Sequence, residues 1–157
     1  MQNRFIRHGA IAAFLAIVFV GLSVTPALSH HSFAMFDQTK TVTMTGVMTR
    51  FVAQANHAEI HFVPLGADGK PVRSSDGKPV QWGVEMAGAA AVAQQGITAA
   101  TFPAGTIFSV KLNPLRDGNA FGSRVGALAR CPKGKFPAAG KHCDSVEGRE
   151  LLGGDEF

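Results

Sequence analysis

Histidines stand where the chain changes character. Ala27-Leu28-Ser29-His30-His31 follows an apolar stretch from Gly9 to Leu22, itself preceded by the basic residues Arg4 and Arg7. Small residues at Ala27 and Ser29 carry the spacing that a signal peptidase reads. Cleavage after Ser29 would make His30 the first residue, its α-amine free beside its own imidazole, with His31 next. An amine and an imidazole on one residue form a compact chelate, and imidazole nitrogen suits Cu(II). Copper is therefore the expected metal, with His30 and His31 as its first ligands.

Two more histidines qualify by spacing. His57, Glu59 and His61 alternate along an extended segment in which Ala58, Ile60 and Phe62 are apolar. In a strand, residues two apart lie ~7 Å from each other on one face, so His57/Glu59 or Glu59/His61 can share an ion. His57 to His61 spans ~13 Å, too far for one ion without a bend. Either histidine could complete the copper sphere if the N-terminal arm folds back. Gln81 and Glu85 share one side of a returning segment, Val80 to Met86. With Glu59 they form the polar face of a second candidate function, a module that binds an envelope glycan, a peptide or a protein partner. The plain alternative is a solvated polar surface. Catalysis is not expected. His57 and Glu59 could act as an acid/base pair, but the chain has no nucleophile elbow, no His-Glu-x-x-His and no glycine-rich phosphate loop.

Composition narrows the setting. The apolar run is shorter than the roughly 20 residues of a membrane-spanning helix, and Pro26 suits a cleavage region. Residues 1–29 therefore read as a removable signal, leaving no stable membrane span and placing the protein in the periplasm or outside the cell. Loss of Arg4 and Arg7 lowers Lys+Arg from 15 to 13 against 11 Asp+Glu, a difference of +2. That excess is too small to argue for nucleic acid. In an oxidising compartment Cys131 and Cys143 read as a disulfide, worth about 3 kcal/mol through loop entropy. A Cys131/His142/Cys143 metal site is the rival, weakened because adjacent His142 and Cys143 rarely reach one ion together.

The positioning elements are mostly strands. Residues 30–40 form an arm that Phe33, Met35 and Phe36 can anchor. Thr41 to Val52 is β-branched and apolar in alternation, with Gly46 where a barrel strand bends or bulges. Ala58 to Val63 is a second strand. Pro64 to Pro79 holds Gly66-Ala67-Asp68-Gly69 and Asp76-Gly77, and reads as a long hairpin loop. Val80 to Met86 is a third strand, Gly88 to Gln95 a short Ala-rich helix stopped by Gly96. Thr106 to Leu112 and Phe121 to Ala129 complete the set. This order predicts a mainly β fold over 41–130, a small OB-like five-stranded barrel with one short helix. An open sandwich has the same strand order. Residues 131–157 read as a tail, irregular outside its disulfide.

Within that frame the chain resembles a group of small exported bacterial proteins of uncharacterised function whose mature forms start His-His-Ser-Phe, here His30-His31-Ser32-Phe33. The matching stretches are Val42-Thr43-Met44-Thr45-Gly46, His57, Trp82-x-x-Glu85, Pro103-Ala104-Gly105-Thr106 and Arg116-Asp117-Gly118. The resemblance implies an OB-like domain beyond the inner membrane, with no established activity. Ala55-Asn56-His57 replaces the Asn-Pro-His usual there, Ala53 replaces an aromatic, and the cysteine-closed tail is an addition.

Overall fold

The computed structural model describes residues 31–154, so residues 1–29, expected as a signal, and His30 lie outside the described residues. A five-residue helix α1 (His31–Met35) is followed by β1 (Val42–Ala53), β2 (Ala58–Pro64) and β3 (Trp82–Glu85). Helix α2 (Ala89–Gln94), β4 (Ile107–Pro114), β5 (Phe121–Arg130), a 3-10 turn at Cys143–Ser145 and β6 (Glu150–Leu152) complete the order. The sheet runs β3-β2-β1-β4-β5-β6, and a parallel pairing of β3 with β5 closes five of these strands into a barrel. The barrel is OB-like in strand order and in its helix between β3 and β4. Closure excludes the open sandwich.

β1 makes that closure possible because it serves two neighbours. Its first half pairs with β4 and its second with β2. Where the two pairings overlap, at Gly46, an added Cβ would lie 2.3 Å from the Phe62 ring and 2.8 Å from the Val63 carbonyl. Gly46 is therefore a close-approach residue. The bulge comes slightly later, between Met48 and Arg50, where Thr49 is extra and the strand turns.

Alternation delivers the core. Ala58, Ile60 and Phe62 point inward from β2, joined by Val84, Phe108, Val110 and Leu128. Phe108 meets Phe62 and Phe102 edge-on, at ring-centroid distances of 5.3 and 5.7 Å, contacts worth about 1 kcal/mol each beyond area burial. Val92 and Ile97 close the end of the barrel from the α2 segment. Met48 is buried, so its thioether is not offered to a surface metal, while Met44 is partly buried and packs against the same cluster.

The barrel carries the one short helix expected of it, α2, and the arm itself contains a helical turn, α1. Two other expectations need correction. Only Phe36 anchors the arm, at 1% exposure, while Phe33 and Met35 are 57% and 49% exposed. The tail is not irregular beyond its disulfide: β6 adds to β5 through Leu128↔Leu152, Ala129↔Leu151 and Arg130↔Glu150. Short apolar Leu151-Leu152 between glycines carries too little pattern to announce a three-residue strand. Cys131 and Cys143 do form the disulfide. Among the described residues no helix is long and apolar enough to cross a membrane.

Candidate functional site

The outer face of β1, β2, β3 and β5 carries two cross-strand rows. One runs Arg50, His61, Gly83, Phe121; the next runs Val52, Glu59, Glu85, Ser123. On β2 and β3 strand alternation explains the content, since Glu59 and His61 flank the core residue Ile60, and Gly83 and Glu85 flank the core residue Val84. The rows bring the charged groups together across strands that sequence spacing alone cannot align.

Glu59 and Glu85 sit directly opposite each other, a destabilising arrangement for two carboxylates. Each is offset by a histidine. His61 Nε2 is 2.8 Å from Glu59 Oε2, and His57 Nδ1 is 3.4 Å from Glu85 Oε1. His57 thus pairs with Glu85 across the sheet, and not with Glu59. A carboxylate only accepts, so the 2.8 Å contact is a hydrogen bond in the form of His61 that carries its hydrogen on Nε2. Nδ1 of His61 is then the nitrogen left for a ligand, the arrangement by which carboxylates orient metal-binding imidazoles. Arg50 Nη2 stands 3.3 Å from the same Nε2 and can donate there only if that hydrogen is absent. Arg50 and Glu59 therefore compete to set the tautomer of His61. Gln81 lies at the edge of this face, its Oε1 accepting from Thr49 Oγ1 at 3.2 Å.

Gly83 shapes the centre of the first row. A Cβ there would lie 2.3 Å from the Phe121 ring and 3.5 Å from His61 Cε1, so the missing side chain lets Phe121 settle beside His61. Phe36 stacks on Phe121 with centroids 6.4 Å apart. The arm is fixed there by Asp37 N–H donating to the Pro114 carbonyl at 2.8 Å, and by Arg116 N–H donating to the Met35 carbonyl at 3.0 Å. Arg116 Nε donates to the Ala34 carbonyl at 3.2 Å. Arg116-Asp117-Gly118 is thus a turn that clasps the arm.

The structure gathers Glu59, His61, Glu85 and His57 on one face as two pairs, with Gln81 at its margin. Among the described residues no three His, Cys, Asp or Glu side chains converge as a ready metal cage. His31 begins the described chain in α1 and His30 lies outside it. Arg50, Phe121 and Arg116 were missed as site residues. Only strand register could have found Arg50 and Phe121, because both enter through cross-strand partners.

A family of unknown function (DUF6152) matches residues 18–124. The chain belongs to that family. The DUF6152 match takes in the arm, β1 to β4, α2 and the start of β5, and stops before the disulfide-closed tail. Neither the curated proteins nor the solved structures offer a match.

Proposed function

We propose that this DUF6152 chain is an exported, non-catalytic copper-binding protein, with Cu(II) held first by the amine and imidazole of His30 after cleavage behind Ser29. The observation that carries the reading is the row from the arm to the histidine pair. Phe36 packs on Phe121, and Phe121 abuts Gly83 beside His61. Helix α1 rises about 1.5 Å per residue, so the backbone of His31, the first described residue, lies within ~8 Å of Phe36 along the helix. His61, held by Glu59, supplies an oriented imidazole close to that anchor. The buried disulfide fits an oxidising compartment, periplasmic or extracellular.

The test is Cu(II) titration of protein that starts at His30, with its mass checked. One-to-one binding with a nitrogen-rich spectroscopic signature is expected. One residue added before His30 should weaken it sharply, and Glu59→Gln should weaken it about tenfold by releasing His61. Equal affinity with a blocked N-terminus would overturn the reading and leave the polar face around Glu59, Gln81 and Glu85 as a site for an envelope glycan or peptide.

A further inference from the structure

A groove of about 360 Å³ lies away from the histidine face, between the start of β1, the loop after β2 and the disulfide-closed tail. Its volume is within the range of small-molecule sites. Val42 and Met44 line it from β1, Leu65 and Val72 from the loop, and Phe136 from the tail. Val42, Val72 and Phe136 are exposed large apolar residues that the core does not use. Among the described residues no carboxylate lines the groove, and the ionisable groups that do are Lys141 and His142. Asp68, in the loop, pairs with Lys70.

Both walls are built. On one side Leu65 N–H donates to the Thr45 carbonyl at 2.8 Å and Val72 N–H to the Pro64 carbonyl at 2.9 Å. On the other, the Cys131–Cys143 bond closes the loop that holds Phe136 and Lys141. His142 Nδ1 is tied to Thr45 Oγ1 at 2.8 Å. Thr45 in turn meets the buried Ser109 hydroxyl at 2.6 Å, and Ser109 Oγ accepts the Cys143 N–H at 2.8 Å. With Nδ1 engaged, Nε2 is the His142 nitrogen left for a ligand. A larger cleft of about 620 Å³ lies beside Arg130 and Glu150, but those two side chains already neutralise each other.

We infer that this groove binds a small amphiphile, an alkyl or aryl tail ending in one carboxylate. The tail lies along Val42, Met44, Leu65 and Val72 under Phe136, and the carboxylate meets Lys141 and His142. Because the far wall is the disulfide loop, outside the residues that match DUF6152, this ligand belongs to the tailed chain and not to the family as a whole. The site is independent of the copper reading.

Calorimetric titration of the oxidised protein with decanoate, decanol and decyltrimethylammonium tests it. Decanoate should bind best and the cation worst. Lys141→Ala should weaken decanoate about fivefold and leave decanol unchanged. Phe136→Ala should weaken both about tenfold. Both side chains are exposed, so these variants should keep the thermal midpoint, which serves as the folding check. Reduction of the disulfide should abolish binding. Absence of decanoate binding at millimolar concentration would overturn the inference, as would equal affinity for decanol or an unaffected Lys141→Ala variant. Self-association that Phe136→Ala abolishes and decanoate does not compete would overturn it in favour of a second copy of the chain.

Discussion

The N-terminal arm reaches the barrel through one buried ring, Phe36, and a few hydrogen bonds around Arg116 and Asp37. The C-terminal tail reaches it through a disulfide, a buried hydroxyl network at Thr45 and Ser109, and the added strand β6. Cys131, Cys143 and Ala129 form a small core of their own with Ile107, Val146 and Leu151. The contrast separates two roles. A covalently closed, cored segment can serve as a permanent wall, as the groove requires. A segment held by one ring can detach and return, which suits an arm that delivers a ligand.

The sharpest way to break this contrast is to open the tail. Cys131→Ala with Cys143→Ala should cost about 3 kcal/mol by releasing the loop entropy that the bond removes from the unfolded chain. Denaturant melts would read the loss. Hydrogen exchange should then accelerate over 131–152 while β1 to β4 and the arm keep their protection. If arm and tail loosen together, the two attachments are one cooperative unit and the contrast fails.

Gly83→Ala attacks the other attachment. The new methyl would meet the Phe121 ring at 2.3 Å, and overpacking of this kind costs about 1–3 kcal/mol. The cheapest relief is for Phe121 to swing away, which removes the surface on which Phe36 stacks. Limited proteolysis should therefore cut the arm faster in this variant while the tail stays resistant. An unchanged arm would mean that Phe36 is held by Leu115, its bridge partner, and that the aromatic row is incidental.

Much of the barrel was legible because its strands alternate cleanly. Ala58, Ile60 and Phe62 announce an inward face, and Gly88 to Gly96 brackets α2 with glycines. The site was only half legible. His57, Glu59 and His61 fall on one face by period alone, but which carboxylate each histidine meets depends on register. The bulge at Thr49 sets the β1–β2 register and places Arg50 opposite His61. Nothing in the spacing of β1 reveals that bulge. The groove was illegible for a related reason: Val42, Val72 and Phe136 come from three distant segments, which the Leu65–Thr45 and Val72–Pro64 backbone bonds on one side and the disulfide and the Thr45–His142 bond on the other bring together.

The smallest expected effect is a pH dependence confined to the arm. Asp37 accepts a 2.6 Å hydrogen bond from Thr39 Oγ1 and a longer one from the Thr39 N–H. The Thr39 hydroxyl holds its carboxyl below the usual carboxylate range; partial burial opposes this, and the Thr39 N–H and Lys40 assist. A carboxyl lowered in the folded state stabilises that state above its unfolded pKa of about 3.9. The contribution fades as pH falls through the lowered folded value. The arm should accordingly hold Phe36 on Phe121 at neutral pH and loosen in acid, below about pH 4. Ring-proton shifts of Phe36 and Phe121, followed by NMR across that range, should move together in the wild-type protein. In Asp37→Asn the same shifts should stay flat while the Cys143 region behaves as in wild type. Identical titration in both proteins would assign the acid response to another group and leave the arm's hold independent of Asp37.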